Sequence, residues 1–432
     1  EDCSAWISSL ANLGQKAVEL EGTLGEDGGD RNPQREEALW WAAEFVTRLA
    51  RIKEIAENLM PWLLPPHRSL FRYPNALPLV NANQVSLTAL PDVLSQIEAR
   101  LERLAHSEQT ELKIRSEARA FLPRIQLSLA SARKLIETLR NLAEISGALA
   151  AGTSFDFLGH PQRKILSIGY DVHKQRREEA CYDLLASEAR AATFIAIAKG
   201  DLRQEGWFRL GRAHTRHAGQ RVLLSWSGTM FEYLMPSLWM RSYPNTLLAR
   251  SQQAAVKCQQ DFGRRRRRPW GVSEAGYNQK DSAGRYQYQA FGIPYLALNP
   301  ESSGDVVAPY ASFLALEADP KGAIKNLRRM DGLGWQGIYG FYESADYMSQ
   351  SSGPGRKYGL VRSWLAHHQG MSLLAMANVL AGASMQRRFH AEPQVQATEL
   401  ILHERVSETT PVIPAENRPL PAPALPAGEP AR

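Results

Sequence analysis

Cysteine is scarce in this sequence, and the few cysteines lie far apart. The 432 residues include only Cys3, Cys181 and Cys258. An odd and widely spaced set argues against a disulfide framework, and no cysteine stands at zinc-ligand spacing from a histidine. We therefore expect no metal site and a reducing compartment.

Long apolar runs are also missing. No stretch of about 18 apolar residues occurs, so we expect no membrane insertion by this segment. The first residues lack the basic and apolar regions of a signal peptide, so we expect a piece cut from a longer chain, or a processed chain.

Several functional motifs are absent as well. The Gly-Leu-Gly of residues 332–334 is followed by aromatic residues and has no strand–helix setting, which disfavours nucleotide binding. No Gly-X-Ser-X-Gly occurs, which weakens a serine-hydrolase interpretation. The net charge of +6 owes much to five arginines at 264–268, but no second basic cluster supports that run. We expect no nucleic-acid partner and no cofactor.

Apolar residues at helical spacing fill much of the first 150 residues. Periodic patterns over 38–62, 94–104 and 125–149 predict helices, whereas 22–33 and 74–91 have the composition of loops. The sequence therefore predicts an N-terminal helical region over residues 1–150.

The pattern changes near residue 151. A short apolar run at 165–172 could form a strand, a helix is predicted over 182–198, and short helical patterns then alternate with loops rich in Gly, Trp and Tyr. Residues 408–432 contain seven prolines and no periodicity. We predict a second region over 151–405 and a Pro-rich linker or tail over 406–432. The fold class is all-α with minor β, for which an α/α toroid of paired helices is the expected architecture.

Three glutamates stand among aromatic residues and glycines, namely Glu232, Glu274 and Glu343. Desolvation beside such walls raises the pKa of a carboxyl group, which can then protonate a leaving group near neutral pH. Aromatic rings also stack on sugars, and glycosidic cleavage generally needs two carboxyl groups. The pattern favours a carbohydrate-active cleft. The alternative for each glutamate is a surface carboxylate beside a partly buried ring.

Two pairs of histidines were considered as metal ligands. The adjacent His367 and His368 point to different sides of a helix, so substrate contact or helix packing is favoured over chelation. His214 and His217 could share a helical face, but no third ligand is evident, and hydrogen-bonded loop histidines are the favoured interpretation.

At these residues the sequence resembles the central glycoamylase-like region of bacterial cyclic β-1,2-glucan synthases. The resemblance covers about residues 153–405, whereas the first 150 residues match only as a generic helical region. It is carried by residues 182–190, 207–212, 226–236, 270–278, 288–294, 308–311, 340–343 and 367–371.

The resemblance implies an (α/α)6 toroid related to endo-β-1,2-glucanases. It implies that the module cleaves linear β-1,2-glucan and joins its ends into a ring, by transglycosylation with retention of the anomeric configuration. The implied partners are β-1,2-glucan and the glycosyltransferase and phosphorylase-like regions that flank the module in the parent chain. The implied location is the cytoplasmic side of the bacterial inner membrane. A hydrolytic endo-β-1,2-glucanase and a non-catalytic glucan-binding module are the alternatives.

The resemblance also assigns roles to residues. Glu274 and Glu343 are the predicted catalytic pair, with Glu343 as acid/base, Glu274 as nucleophile and the order of the two left open. Glu232 is predicted to bind or support the substrate. Residues 273–278 read Ser-Glu-Ala-Gly-Tyr-Asn where the family has Ser-Glu-Ser-Ala-Tyr-Asn, so the carboxylate is kept. The other predicted substrate-binding residues are Asp183, Glu188, Arg209, Arg212, Trp270, Tyr277, Asn278, Tyr342, His367, His368 and Gln369.

Overall fold

Helices dominate the computed structural model of this chain, which describes residues 3–26, 33–63, 85–217, 220–349 and 357–405, with residues 70 and 412. The chain divides into two compact units, Glu1–Gly152 and Thr153–Arg432. The helices are α1 (Cys3–Glu26), α2 (Pro33–Leu59), α3 (Leu90–His106), α4 (Leu112–Gly152), α5 (Ser187–Lys199), α6 (Glu205–Arg209), α7 (Met230–Leu234), α8 (Leu247–Arg265), α9 (Pro309–Leu314), α10 (Pro320–Gly332), α11 (Ala366–Leu380), α12 (Ser384–Phe389) and α13 (Pro393–Thr398).

The strands are short. They are β1 (Tyr170–Asp171), β2 (Arg176–Arg177), β3 (His214–His217), β4 (Gln220–Leu223), β5 (Ala275–Lys280), β6 (Tyr286–Gln289), β7 (Val306–Val307), β8 (Gln336–Gly337), β9 (Gly340–Phe341), β10 (Ser344–Asp346) and β11 (Gly359–Val361). Within the described residues, the widest sheet has three antiparallel strands in the order β11-β10-β7. The predicted all-α class with minor β is confirmed.

The first unit has its core between α3 and α4. Leu94, Ile97 and Leu101 recur at helical spacing on α3 and are fully buried, as are Phe121 and Ile125 on α4. This periodicity places one apolar stripe of each helix against the other. The stripe on α3 is as the sequence predicted, whereas the buried side chains of α4 lie between residues 118 and 132, so that most of the predicted span of 125–149 is exposed. The predicted loop at 22–33 is partly wrong, because α1 continues to residue 26. Most of the predicted loop at 74–91 lies outside the described residues.

The second unit contains a larger core of aromatic and aliphatic side chains. Trp207, Trp335, Phe194 and Tyr233 are almost completely buried within it. The helix predicted over 182–198 begins only at residue 187, because the Asp183 carboxylate accepts hydrogen bonds from two backbone amides and holds a turn before it. Of the run at 165–172, only β1 forms a strand. The predicted linker at 406–432 lies outside the described residues, apart from residue 412.

The five arginines at 264–268 do not act as one exposed run. Arg268 is buried: its guanidinium lies 4.5 Å from the ring centroid of Tyr347 and pairs with Asp305. Arg266 contacts the same aspartate and lies 4.0 Å from the ring centroid of Phe262. At least these two side chains therefore have structural partners inside the unit.

No helix in the described part of the chain combines the length and apolar composition that crossing a membrane requires. His214 and His217 lie on strand β3 and not on a helix. Neighbouring side chains of a strand alternate between its faces, so an odd separation places these two on opposite sides. His217 hydrogen-bonds to Asp261 instead, at 3.2 Å.

Candidate active site

The segment that carries Glu274 is fixed by hydrogen bonds to three helices. The side-chain amide of Gln259 on α8 donates to the carbonyl of Val272 and accepts from its amide, at 2.8 and 2.9 Å. Ser273 accepts from the amide of Phe231 on α7, and Tyr310 on α9 donates to the carbonyl of Glu274 at 2.9 Å. The backbone at Glu274 is therefore held in place on both sides of its side chain.

The side chain of Glu274 lines a cavity of about 490 Å³ in the second unit. Glu188, in the first turn of α5, contributes a second carboxylate to the same wall, and Trp226 and Tyr182 contribute aromatic rings. The cavity has the size and the mixture of aromatic and acidic groups that a sugar-binding cleft requires. The full lining is Ile168, Ala180, Cys181, Tyr182, Asp183, Ala186, Glu188, Ala189, Trp226, Glu232 and Glu274.

The surroundings of Glu274 favour its protonated form. Burial raises the pKa of this carboxyl above its usual value, and the negative charge of Glu188 raises it further. The Tyr288 hydroxyl, which donates to Glu274 at 2.8 Å, opposes this shift, as does His368. A carboxyl group in this balance is suited to proton transfer near neutral pH.

A chain of hydrogen bonds links Glu274 to Glu343. Tyr288 donates to Glu274 Oε1, its oxygen lies 3.3 Å from His368 Nε2, and His368 Nδ1 lies 3.0 Å from the Glu343 carboxylate. The His368 ring stacks on Tyr310 with centroids 3.8 Å apart and an interplanar angle of 16°. The structure therefore brings together the two glutamates that were predicted as a pair, with a tyrosine and a histidine between them.

Glu343 itself is enclosed. The residue is 2% exposed and accepts a hydrogen bond from the amide of Gly276 at 3.0 Å. A Cβ atom at position 276 would lie 3.3 Å from Glu343 Cγ, so the small residue permits this close approach. Glu343 does not line the cavity. Glu274 and Glu188 do, and the charge of Glu188 raises the pKa of Glu274.

Glu232 has a complete structural role. It forms a capping box with Thr229 at the start of α7, and it accepts hydrogen bonds from Ser225 Oγ and from the amide of Ser227. Burial raises the pKa of Glu232 to about 7. It also touches the cavity, which fits the predicted role in supporting the substrate site.

Other predicted substrate-binding residues fall into two groups. Asp183 and Glu188 line the cavity. The others do not: Arg209 is exposed at the end of α6, Arg212 pairs with Glu404, and Trp270 is buried against Asn326. Of the rest, Tyr277 packs on Phe291, Asn278 bonds to Ser349, Tyr342 packs on Trp364, Gln369 donates to the carbonyl of Phe341, and His367 lies beside Tyr288 and His368.

Sequence reasoning missed Tyr288 and Tyr310 as site residues. Tyr288 reaches the site because it lies opposite Gly276 in the β5–β6 hairpin, and Tyr310 because it lies in the first turn of α9. Residue 288 was part of the family resemblance, but nothing in its local pattern distinguishes it from other tyrosines. Among the described residues, no group of three His, Cys, Asp or Glu side chains could hold a metal ion.

These features, an acidic and aromatic cavity in a helical unit, define the class of carbohydrate-active helical domains. Residues 181–393 match the model of the Glycoamylase family, described as putative glucoamylase. This part of the chain is therefore similar to the glycoamylase family.

The chain is also similar to part of a curated protein. The chain is 43% identical over 289 residues to the cyclic beta-(1,2)-glucan synthase NdvB of Rhizobium meliloti (strain 1021). The match covers 66% of this chain and 10% of NdvB, so it concerns one part of a much larger protein.

Two solved structures resemble the chain more distantly. A beta-1,2-glucanase from Parabacteroides distasonis is 13% identical with a TM-score of 0.43, covering 73% of this chain and 44% of that one. An endo-beta-1,2-glucanase mutant from Talaromyces funiculosus, in complex with beta-1,2-glucan, is 15% identical with a TM-score of 0.42, covering 80% and 68%.

Proposed function

We propose that this chain cyclises linear β-1,2-glucan by anomer-retaining transglycosylation, as one domain of a cyclic β-1,2-glucan synthase. The observation that carries the proposal is the cavity in which Glu274 and Glu188 stand beside Trp226 and Tyr182, within a glycoamylase-like domain. The 43% identity to NdvB supports β-1,2-glucan as the substrate.

The proposed chemistry uses two carboxyl groups on either side of one glycosidic bond. One protonates the leaving oxygen, and the other forms the covalent glycosyl intermediate that an acceptor hydroxyl then attacks. Retention of configuration follows from the two displacements. Ring closure occurs when the acceptor is the far end of the same chain and competes successfully with water.

Glu274 is the first of the two carboxyl groups in this proposal, and its partner has two candidates. The sequence pairs it with Glu343, and the hydrogen bonds through Tyr288 and His368 support an interaction between them. The lining of the cavity favours Glu188, because a sugar in the cavity can touch it while Glu343 is 2% exposed.

The similarity to NdvB is the basis for the part of the proposal that concerns a longer parent protein. Since the match spans a tenth of that relative, we propose flanking glycosyltransferase and phosphorylase-like domains, and a location at the cytoplasmic side of the bacterial inner membrane. Neither is needed for the chemistry of the cavity.

Product analysis from linear β-1,2-glucan tests the function. Rings that resist exo-acting enzymes are the expected product. Shorter linear chains alone would indicate the alternative, an endo-β-1,2-glucanase. Binding without turnover, unchanged in Glu274→Gln, would indicate a non-catalytic glucan-binding module.

Three substitutions identify the catalytic partner. We expect Glu274→Gln to lower turnover by about 10²-fold or more, the scale of a lost acid or base. The partner is the position at which Glu188→Gln or Glu343→Gln matches this loss. Glu205→Gln, on the exposed start of α6, is the matched control and should retain wild-type turnover.

A further inference from the structure

The hydrogen bonds between Glu274 and Glu343 constrain where the protons lie. Tyr288 has a single hydroxyl proton, and when Glu274 is ionised that proton lies toward Glu274 Oε1 at 2.8 Å. The remaining contact of its oxygen, at 3.3 Å from His368 Nε2, then needs a proton on that nitrogen. His368 Nδ1 faces the Glu343 carboxylate at 3.0 Å and needs a proton as well. In this arrangement His368 is an imidazolium.

His368 lies in an enclosed environment. Its side chain and that of Glu343 are each 1% exposed, and its ring stacks on the face of Tyr310. The carboxylate and the ring face favour a positive charge, whereas burial opposes it. The position of His368 in the first turn of α11 opposes a positive charge, because the helix dipole is positive there. The adjacent Glu343 carboxylate offsets this effect.

A second arrangement of the same chain contains the same number of protons. If Glu274 is protonated, it donates to the Tyr288 oxygen, the Tyr288 hydroxyl turns to His368 Nε2, and His368 is neutral with its proton on Nδ1. The two arrangements differ only by moving one proton from Nε2 to the tyrosine oxygen while the tyrosine proton moves to Glu274. Glu343 remains ionised in both.

We propose that Tyr288, His368 and Glu343 form a proton relay that exchanges one proton with Glu274, so that Glu343 is a positioning residue at the far end and does not contact sugar. The His368–Glu343 end is buried, whereas Tyr288 is 45% exposed. His368 holds the proton that Glu274 lacks, and Tyr288 conducts it. Glu274 can then change protonation state during turnover by exchange within the relay. The predicted effect of the relay on turnover rests on the proposed function, whereas the proton exchange itself does not.

Other ionisable groups face the relay and must be considered when pH dependence is interpreted. Glu188 on α5 lines the same cavity and raises the pKa of Glu274, and Tyr310 on α9 covers the His368 ring. His367 lies beside His368 with ring centroids 4.0 Å apart, and Glu232 on α7 touches the cavity. None of these lies between Glu274 and Glu343 in the hydrogen-bonded chain.

Histidine nitrogen NMR of the full chain tests the relay without substrate. The His368 signals are assigned by their loss in His368→Asn. In the wild type, at a pH where Glu274 is ionised, we expect both ring nitrogens of His368 to be protonated. In Glu274→Gln we expect only Nδ1 to be protonated, because the Tyr288 hydroxyl no longer faces an anion. An identical pattern in the two proteins would overturn the relay.

Kinetics of β-1,2-glucan conversion provide the second test. Tyr288→Phe removes a donor that stabilises the Glu274 carboxylate, so the pKa of Glu274 rises and the limb of the pH profile that it controls moves to higher pH. We expect kcat to fall about tenfold or more with little change in KM. Tyr286→Phe, on the same strand, is the matched control and should leave the profile in place.

Combining substitutions separates a relay from independent contacts. Because the members act in series, Tyr288→Phe with His368→Asn should cost no more than the worse single variant. Multiplying effects, or pH profiles that superimpose on the wild type, would refute the relay while leaving the proposed function intact. A wild type inactive on β-1,2-glucan would refute the proposed function instead, and the NMR result would still decide the relay.

Discussion

Arg212 was predicted to bind substrate, but its contacts lead us to predict that it stabilises the fold. Its guanidinium forms a two-point ion pair with Glu404, with Nε 2.7 Å from Oε1 and Nη2 2.9 Å from Oε2. It also donates to the carbonyls of Trp207 and Leu210. The backbone of Glu404 in turn accepts from the amide of Leu247, at the start of α8. One side chain thus joins segments that are 192 residues apart.

The magnitude follows from burial and geometry. The side chains of Arg212 and Glu404 are 16% and 21% exposed, so the pair lies between a surface ion pair and a buried one. Hydrogen bonds to charged groups contribute about 1.5–3 kcal/mol each, and breaking a fully buried pair costs about 3–5 kcal/mol. With partial screening, we expect Arg212→Ala to lower the free energy of unfolding by about 2 kcal/mol.

Urea denaturation followed by tryptophan fluorescence measures this loss. A double-mutant cycle with Glu404→Gln should give a coupling energy of about 1–2 kcal/mol. Arg209→Ala, an exposed arginine nearby, is the control and should stay within about 0.5 kcal/mol of wild type. Wild-type stability of Arg212→Ala together with weaker glucan binding would refute the structural reasoning and restore the predicted substrate role.

Three further predictions concern buried groups. Burial raises the pKa of Glu232 to about 7 from the usual 4.5. This carboxyl group therefore contributes to the free energy of unfolding fully below about pH 4.5, and the contribution is lost as the pH rises to 7. This amounts to about 3 kcal/mol, so Glu232→Gln should flatten urea stability between pH 5 and 8, and an unchanged slope would contradict this. Cys258 is 1% exposed, and burial raises its pKa to about 12. A thiol reagent should therefore modify Cys258 only on unfolding, whereas the partly exposed Cys181 should react in the folded protein. Mass spectrometry of the labelled peptides checks both expectations. Phe121→Ala should lower the free energy of unfolding of the first unit by about 3–5 kcal/mol in urea titrations, and a loss below about 1 kcal/mol would mean that the α3–α4 core is misassigned.

The helical regions were predictable because the signal is local. On α3, the spacing of Leu94, Ile97 and Leu101 predicts the helix and its buried face without any knowledge of the partner. Helix boundaries were less accurate where side chains bind the backbone, as Asp183 does ahead of α5. Most of the short strands were not predicted, because strands of two to six residues show little alternating pattern even where they pair in local hairpins.

The candidate site was predictable as a set of chemical groups but not as an arrangement. Glutamates among aromatic residues indicated a carbohydrate cleft, and Glu274 does face a cavity. The pairing of Glu274 with Glu343 stays a prediction, since the same sequence pattern cannot separate a carboxylate in a cavity wall from one enclosed behind a histidine. Glu188, in an ordinary helical pattern, gave no stronger signal than its neighbours.

The sequence by itself determined the helical class, the apolar stripes and the types of chemical group available, because these depend on residues within one or two turns of each other. Only the tertiary structure decided which carboxylate faces the cavity, which arginine binds a glutamate and which tyrosine bridges to a histidine. Burial and hydrogen bonding at each of those positions depend on side chains from segments 14 to 192 residues away, whose approach is set by the packing of the whole unit.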